Sequence, residues 1–155
     1  MGYRSDVGFV IRVDTDCPNP EATFKELIGK IKLVGDEFFN EWNKEDYGWG
    51  KQGKHYVFSF YANDVKWYDS YPGVQAVDEI LGMVKEIPFI SWRFVRMGEN
   101  EEDVEYQDHG EQAYDLHDYV HAVRYIQFDD SILGRQETDA QEQTEQAPAA
   151  QTETK

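Results

Sequence analysis

The chain has 155 residues, of which 31 are Asp or Glu and 15 are Lys or Arg, so its formal net charge at pH 7 is −16. That excess repels nucleic-acid phosphates and anionic membranes, so direct binding to either is not expected. Apolar residues make up 40% of the chain, too many for a wholly disordered protein, and the length suits one domain with a buried core. No run approaches the ~18 apolar residues of a membrane span, and the start leads into no signal-peptide core, so a cytoplasmic protein is expected.

The first predicted elements are a buried strand and a helix. Val7–Val13 is rich in β-branched and aromatic residues, as is typical of a strand inside a sheet. Asn19 is a suitable N-cap and Pro20 a suitable first helical residue, and apolar residues then recur at helical spacing. Gly35 predicts the end of this helix. Residues 36–43 fit a second short helix or a strand equally well.

The middle of the chain predicts a loop, two strands and a second helix. Glycines are frequent over residues 48–54, which predicts a flexible hairpin loop. Strands are expected at His55–Tyr61 and Val65–Tyr68, around a turn at residues 62–64. A helix is expected to begin at Pro72, because apolar residues follow it at helical spacing, and to end before the next proline.

Further strands are predicted toward the end of the domain. Phe89–Met97 is a strongly β-forming run, Asp103–Gln107 is a candidate returning strand, and Tyr119–Phe128 alternates as a last strand would. The resulting order is β-α-β-β-α-β followed by one or two strands. It predicts an α+β fold of the ferredoxin-like split β-α-β type, in which two helices cover one face of an antiparallel sheet and one or two extra strands follow at the C-terminus.

The end of the chain differs in composition from the rest. From Gly134 to Lys155 there is no aromatic residue and no Val, Leu, Ile or Met. Such a segment cannot bury enough apolar surface to offset the entropy lost on ordering. We therefore predict a single domain over residues 1–133 and a disordered Gln/Thr/Glu-rich tail over residues 134–155. The tail carries five acidic and two basic residues, so most of the negative charge lies in the domain.

The strongest local anomaly is an acidic stretch over residues 97–123, which contains no Lys or Arg. If Glu101–Glu105 is extended, alternation places Glu101, Asp103 and Glu105 on one face, about 6.8 Å apart. That spacing is roughly two phosphate steps along one DNA strand, so such a row could occupy a basic groove that receives nucleic acid. The candidate partner-binding residues are Glu99, Glu101, Glu102, Asp103, Glu105, Asp108, Glu111, Asp115 and Asp118.

Two other interpretations of the same acids stay open. Charged side chains can blunt an exposed sheet edge and keep a domain soluble. A divalent-cation site is the second, but calcium needs about six to eight converging oxygens and the stretch lacks the EF-hand pattern. His117 and His121 are spaced as zinc ligands on a helix would be, yet a strand there would hold the two rings ~13 Å apart. No metal and no cofactor are therefore expected.

Signatures of catalysis are weak, and an enzyme is not expected. Cys17, the single cysteine, precedes a turn near a helix start, but a small buried hydrophobic residue is the better interpretation. Residues 48–54 lack the residue order of a phosphate-binding loop. Clustered aromatics such as Trp67 and Tyr68 could stack nucleic-acid bases, but the negative charge opposes this. Core packing, with one or two partner-binding anchors, explains them better.

Three segments of the chain together resemble a known group of proteins. They are the Met-Gly-Tyr-Arg-Ser start at Met1–Val7, the Lys-Trp-Tyr motif in Val65–Tyr68, and the Arg-Met-Gly-Glu motif in Phe94–Glu99 with Glu102–Glu105 after it. The set resembles short proteins that recur in bacteriophage and prophage genomes, and the resemblance spans roughly residues 1–106, leaving the last predicted strand and the tail uncovered. The acidic stretch extends further here, and the tail departs from the pattern. The resemblance implies a phage accessory protein and carries no catalytic residues.

These observations predict a non-enzymatic, phage-type inhibitor that binds a host nucleic-acid-handling or defence protein. Its acidic face would occupy the basic nucleic-acid-binding site of that protein by mimicking the charge of DNA or RNA. The alternatives are a small enzyme or nucleotide-binding domain, and a phage structural or assembly protein. The oligomeric state and the role of the tail stay open. Arg96 is expected to form a structural ion pair with Glu99 or Asp103.

Overall fold

The computed structural model describes residues 2–34 and 36–124 and shows an α+β fold with one five-stranded antiparallel sheet. The predicted helix end at Gly35, the domain end at residue 133 and the tail at residues 134–155 lie outside the described residues. The strands are β1 Ser5–Val13, β2 Tyr47–Gln52, β3 His55–Val65, β4 Ile90–Gly98 and β5 Val104–His109. The helices are α1 Pro20–Val34, α2 Asp36–Glu41 and α3 Pro72–Met83, with short 3₁₀-helices at Lys44–Asp46, Val84–Glu86 and Ala113–Asp118.

The strand order across the sheet is β2-β3-β1-β4-β5, and every neighbouring pair is antiparallel. β1 lies at the centre, where Phe9 is opposite Phe60 of β3 on one side and Phe94 of β4 on the other. Because β1 has partners on both sides, its apolar sequence is buried almost throughout, as the first predicted strand requires. β2 and β5 form the two edges of the sheet.

All three helices pack against the same face of the sheet. Alternate residues of β1, including Phe9 and Ile11, point to that face and form one core with Leu27 of α1, Phe38 of α2 and Ile80 of α3. Each of these five side chains is at most 1% exposed. Burying one such side chain stabilises the fold by about 1.5–3 kcal/mol. The opposite face, called here the open face, is covered only in part by the described residues.

The predicted starts of the two long helices are confirmed. α1 begins at Pro20, and the side-chain oxygen of Asn19 accepts a hydrogen bond from a backbone N–H three residues further on (3.3 Å). α3 begins at Pro72. Trp42, just after α2, donates from its indole nitrogen to the carbonyl oxygen of Gly73 (3.1 Å), which joins α2 to the first turn of α3.

The middle of the sheet differs from the prediction in two places. The hairpin loop predicted over residues 48–54 is confirmed only for the turn at Gly53 and Lys54 and is wrong over residues 48–52, because Tyr47–Gln52 forms the edge strand β2 and pairs with β3. Its glycines are tolerated there, since an edge strand pairs on one side only. The turn predicted at residues 62–64 is also wrong. β3 runs on to Val65 with a shift of register against β1, so Val65–Tyr68 is not a separate strand.

The end of the domain matches the prediction for two strands and differs for the third. β4 and β5 correspond to the runs predicted from Phe89 and from Asp103. The strand predicted at Tyr119–Phe128 is wrong over residues 119–124, which contain no strand, and its remaining residues lie outside the described part. The 3₁₀-helix Ala113–Asp118 lies on the open face instead, where Leu116 is fully buried. The segment 36–43, which fitted a helix or a strand, begins with the helix α2.

Candidate functional site

The nine candidate acids form two groups, at opposite ends of the edge strand β5. Their nearest members, Glu105 and Asp108, lie three residues apart within β5, about 10 Å along the strand, and because that separation is odd their side chains point to opposite faces of the sheet. The first group lies in the β4–β5 turn and at the start of β5: Glu99, Glu101, Glu102, Asp103 and Glu105. The second group lies at the end of β5 and in the segment that follows: Asp108, Glu111, Asp115 and Asp118.

One predicted geometry is wrong, namely the evenly spaced row of Glu101, Asp103 and Glu105. Glu101 lies in the β4–β5 turn, which the backbone N–H of Asp103 closes by donating to the carbonyl oxygen of Asn100 (2.9 Å). Only Glu105 belongs to β5. Because the chain turns between the first and third of these residues, their carboxylates do not repeat along one strand face.

The predicted ion pair between Arg96 and Asp103 is confirmed. Arg96 Nη2 lies 2.6 Å from Asp103 Oδ1, and Arg96 Nε lies 3.0 Å from Glu105 Oε1. The hydroxyl of Tyr3 also donates to Asp103 (2.6 Å). The hydrogen bond to Asp103 raises the pKa of Arg96, although partial burial opposes the rise. One guanidinium thus fixes two carboxylates, and this cluster keeps a net negative charge.

A second arginine, Arg93 of β4, fastens the C-terminal segment to the open face. Its side chain is 5% exposed, and Nη1 lies 3.1 Å from Asp108 Oδ1. Nε donates to the carbonyl oxygen of Val120 (2.9 Å), and Nη1 also lies 3.1 Å from His117 Nε2. The guanidinium stacks over the ring of Tyr106 at 4.8 Å. Arg93 therefore holds β5 and the residues after Ala113–Asp118 in one arrangement.

A third arginine, Arg12 of β1, holds the start of the same segment. Nη2 donates to the side-chain oxygen of Gln112 (2.8 Å) and lies 3.6 Å from Asp115 Oδ2. The guanidinium also lies 5.8 Å from the centre of the Tyr119 ring. Sequence analysis did not single out Arg12 or Arg93. The available signal was an arginine inside a buried strand, because a buried guanidinium requires partners.

Five of the nine carboxylates are exposed and lie outside these ion pairs, and we call them the acidic edge: Glu99, Glu101, Glu102, Glu111 and Asp118. Glu99 accepts a hydrogen bond from the backbone N–H of Arg4 (2.6 Å), which leaves its charge in place. Within the described residues none of the five forms an ion pair. Tyr114 lies beside the second group and is 80% exposed, as an anchor for a partner would be.

A groove of about 870 Å³ lies on the open face. Glycines of β1 and β2 form part of its floor, and the rings of Tyr61 and Tyr119 are 59% and 45% exposed beside it. The lining includes one imidazole, His121, but no carboxylate or thiol. The described lining therefore offers no pair of groups suited to acid–base or nucleophilic catalysis.

The other candidate chemical groups are accounted for by local packing. Cys17 is buried, as its interpretation as a small hydrophobic residue requires. Its sulfur lies 3.2 Å from the hydroxyl oxygen of Thr23. The region of His117 and His121 is not extended. His117 lies in the last turn of the 3₁₀-helix Ala113–Asp118, and its carbonyl oxygen lies 3.2 Å from His121 Nδ1. Among residues 2–34 and 36–124 no three His, Cys, Asp or Glu side chains converge as a metal site requires.

Acidification is expected to destabilise the protein through His109, at the end of β5. Burial, and then the charge of Lys85, lower the pKa of His109 below 6.5. The unfolded chain therefore binds a proton at this imidazole more readily than the folded protein does. The free energy of unfolding keeps the full contribution of neutral His109 above pH 6.5 and loses it as the pH falls from 6.5 through the lower pKa of the folded state. Urea denaturation between pH 7.5 and pH 5 should show a smaller loss for His109→Gln than for the wild type. The exposed His121→Gln is the control, and equal pH profiles for the two variants would contradict the prediction.

Known proteins supply no template for this surface. Comparison with protein-family models, with curated proteins and with solved structures gave no match. Within the described residues no helix is both long and apolar enough to cross a membrane. The interpretation of the site therefore depends on its own geometry and charge.

Proposed function

We propose that this protein is a non-enzymatic inhibitor whose acidic edge binds the basic nucleic-acid-binding site of another protein. One observation carries the proposal: residues 97–123 contain no Lys or Arg, and the five carboxylates of the acidic edge are exposed. A basic site that normally receives phosphates would attract these charges and would be blocked by them.

Two arginines support the proposal because they order the segments that carry the acidic edge, Arg96 from the helix-covered face of the sheet and Arg93 from the open face. Arg96 and Arg93 contact Asp103, Glu105 and Asp108 from the sheet, and they leave the exposed carboxylates unpaired. A surface that is already rigid loses little conformational entropy on binding. The paired acids are then structural members of the surface, and the acidic edge supplies the charge that a partner meets.

The proposed setting is a bacterial host cell during phage infection. The three motifs that resemble phage accessory proteins support it, as does the strong negative charge of the chain. The proposed partner is a nucleic-acid-handling or defence protein of the host, so the inhibitor would act in the host cytoplasm. No cofactor or metal ion takes part in such a mechanism.

We also propose that the fold is of the ferredoxin-like split β-α-β type. The order β2-β3-β1-β4 with antiparallel neighbours, and helices between β1 and β2 and between β3 and β4, are the features that support this assignment. β5 then extends the sheet beyond β4. β5 is then an outer edge of the sheet, and the turn that carries the first acidic group lies at its start, whereas Asp115 and Asp118 lie in the 3₁₀-helix on the open face.

The proposal is tested by capture from bacterial lysate on the immobilised protein. One variant carries Glu101→Gln, Glu102→Gln, Glu111→Gln and Asp118→Asn. Its matched control carries Glu37→Gln, Glu45→Gln, Glu79→Gln and Glu86→Gln, which remove the same charge from other exposed positions. We expect the wild type and the control to retain a nucleic-acid-binding protein, and the acidic-edge variant to retain about tenfold less.

Two further measurements belong to the same experiment. Raising the salt concentration from 0.1 M to 1 M shortens the Debye length from about 10 Å to about 3 Å, so the partner should elute steeply. Duplex DNA or RNA added to the complex should release the captured partner from the immobilised protein. If the two quadruple variants capture the partner equally, or if nucleic acid does not compete, the proposal is wrong.

A further inference from the structure

A separate surface lies at the other edge of the sheet, between α1 and β2. It is a groove of about 440 Å³, and we call it the basic groove. Apolar and aromatic side chains form its floor, and lysines stand at its rim. It is lined by Glu21, Phe24, Lys25, Ile28, Gly29, Lys32, Trp49 and Tyr56. Because β2 and β5 are opposite edges, the basic groove is distinct from the acidic edge.

The floor of the basic groove is rigid and partly exposed. Trp49 is 42% exposed, and its ring stacks on that of Phe58 at 5.7 Å. The rings of Phe24 and Tyr56 lie 5.2 Å apart. These contacts hold the aromatic rings in place, and the ammonium groups of Lys32 and Lys51 lie over the Trp49 and Tyr56 rings, so the floor presents ring edges and lysine stems to a partner side chain.

A glycine inside α1 leaves space at the basic groove. No atom lies within 4 Å of the position that a Cβ on Gly29 would take. Glycine is a poor helix former compared with alanine, so this residue weakens α1 and gives nothing back through packing. One turn further along the helix, Leu33 is 83% exposed. Gly29 is thus an open position on the α1 side of the basic groove, and Leu33, which is not part of the lining, is an exposed apolar side chain beyond it.

The rim of the basic groove is positively charged although the whole protein is strongly negative. Lys25 has a side chain that is 77% exposed, and Glu21, the one acid of the lining, lies 3.8 Å from its Nζ. Lys32 lies 5.6 Å from the centre of the Trp49 ring, and Lys51 is exposed nearby on β2. Three lysines thus accompany one glutamate, and since charges interact over about 8 Å at physiological ionic strength, the local charge of these residues is positive.

We propose that the basic groove docks an acidic segment of a partner protein, which places an apolar side chain over Gly29 and Trp49. Its carboxylates would meet Lys25 and Lys32, and the apolar side chain would cover the aliphatic and aromatic floor. A single-stranded polynucleotide supplies the same charge and bases that stack on Trp49, but the net charge of −16 repels its long row of phosphates, which disfavours it against a short acidic segment. Within the described residues no strand pairs with the outer side of β2, so an extended segment can also reach its free backbone groups.

The test uses the full chain and a capped peptide in which one leucine and one phenylalanine are flanked by glutamates. Binding is followed by calorimetry and by the tryptophan emission spectrum, since Trp49 is the most exposed of the four tryptophans. The wild type should bind the glutamate peptide with a shift of emission. Lys25→Glu with Lys32→Glu, and separately Gly29→Leu, should each weaken binding about tenfold.

The controls separate this docking from general charge effects. Lys44→Glu with Lys66→Glu changes the net charge equally at other positions and should leave the affinity within about twofold. The same peptide with lysines in place of glutamates should not bind. Circular dichroism checks that Gly29→Leu is folded. The lysine variants change only the charge of the rim, so they test the proposal even if Gly29→Leu does not fold.

Several outcomes would overturn the docking proposal. They are no binding of the glutamate peptide, equal binding of the lysine peptide, tighter binding of an oligothymidylate, or unchanged affinity in the groove variants. None of these outcomes bears on the acidic edge, whose carboxylates lie at the other side of the sheet. The two proposals can therefore fail independently.

Discussion

Replacing Gly110 by alanine is expected to lower the free energy of unfolding by about 3 kcal/mol or more. Gly110 follows β5 with a φ of +102°, a conformation in which a residue with a Cβ is strained. A Cβ there would lie 2.6 Å from the carbonyl oxygen of Ile90 and 2.7 Å from the Cα of Ser91. Both atoms belong to the backbone of β4, which is paired on both sides, so no side-chain rotation relieves the contact.

The same substitution would disturb the hydrogen bonds at Ser91. Its hydroxyl donates to Asp14 (2.6 Å) and accepts the backbone N–H of Gln112 (3.0 Å), where the C-terminal segment begins. Urea denaturation measures the loss of stability of Gly110→Ala, and we expect its Tm to fall by about 10 °C. Gly48→Ala is the control: no atom lies within 4 Å of its Cβ position, so its stability should stay within about 0.5 kcal/mol of the wild type. A stable Gly110→Ala variant would show that the turn after β5 can move.

Much of the fold follows from local patterns in the sequence. β1 and the starts of α1 and α3 were predictable because each is set by neighbouring residues: a β-branched run, the Asn19 cap and Pro20, and Pro72. β2 was not, because glycine is disfavoured in strands and only the pairing with β3 makes residues 47–52 extended.

The prediction of a last strand from Tyr119 was wrong for a related reason. Alternation of apolar and polar residues after Tyr119 resembles a strand, but Val120 packs beside the buried Leu116 on the open face of the sheet. A side chain can be apolar because a neighbouring element covers it, without any strand pairing. Periodicity over a few residues does not distinguish these two situations.

The candidate site was predictable in composition and not in arrangement. The absence of Lys and Arg over residues 97–123 is visible in the sequence, and the Arg96–Asp103 pair lies across one short hairpin. Arg12, in contrast, meets Gln112 and Asp115 across about a hundred residues, a contact that only the assembled sheet creates. For this reason the sequence could not show which acids are paired and which are exposed.

Replacing Arg93 by methionine is expected to lower the free energy of unfolding by about 2–3 kcal/mol. The variant keeps most of the side-chain volume but removes every donor, so the carbonyl oxygen of Val120 and the carboxylate of Asp108 both lose their partner. Asp108 is 43% exposed and can be hydrated, which is why the loss is smaller than for a fully buried pair. Amide hydrogen exchange at Leu116 and Val120 should become faster, while exchange in β1 follows the global stability only.

A double-mutant cycle with Asp108→Asn separates the ion pair from the other contacts of Arg93. Asp108→Asn alone should cost less than about 1 kcal/mol, because the carboxylate is half exposed. If the ion pair dominates, the double variant should be about as stable as Arg93→Met; if the bond to Val120 dominates, the two losses should add. Lys44→Met, at an exposed position, is the control and should change stability by less than about 0.5 kcal/mol. Because Arg93 holds the segment that carries Asp118, Arg93→Met should also weaken capture of the partner. If stability and the hydrogen exchange at Leu116 are both unchanged in Arg93→Met, other contacts hold this segment and the prediction is wrong.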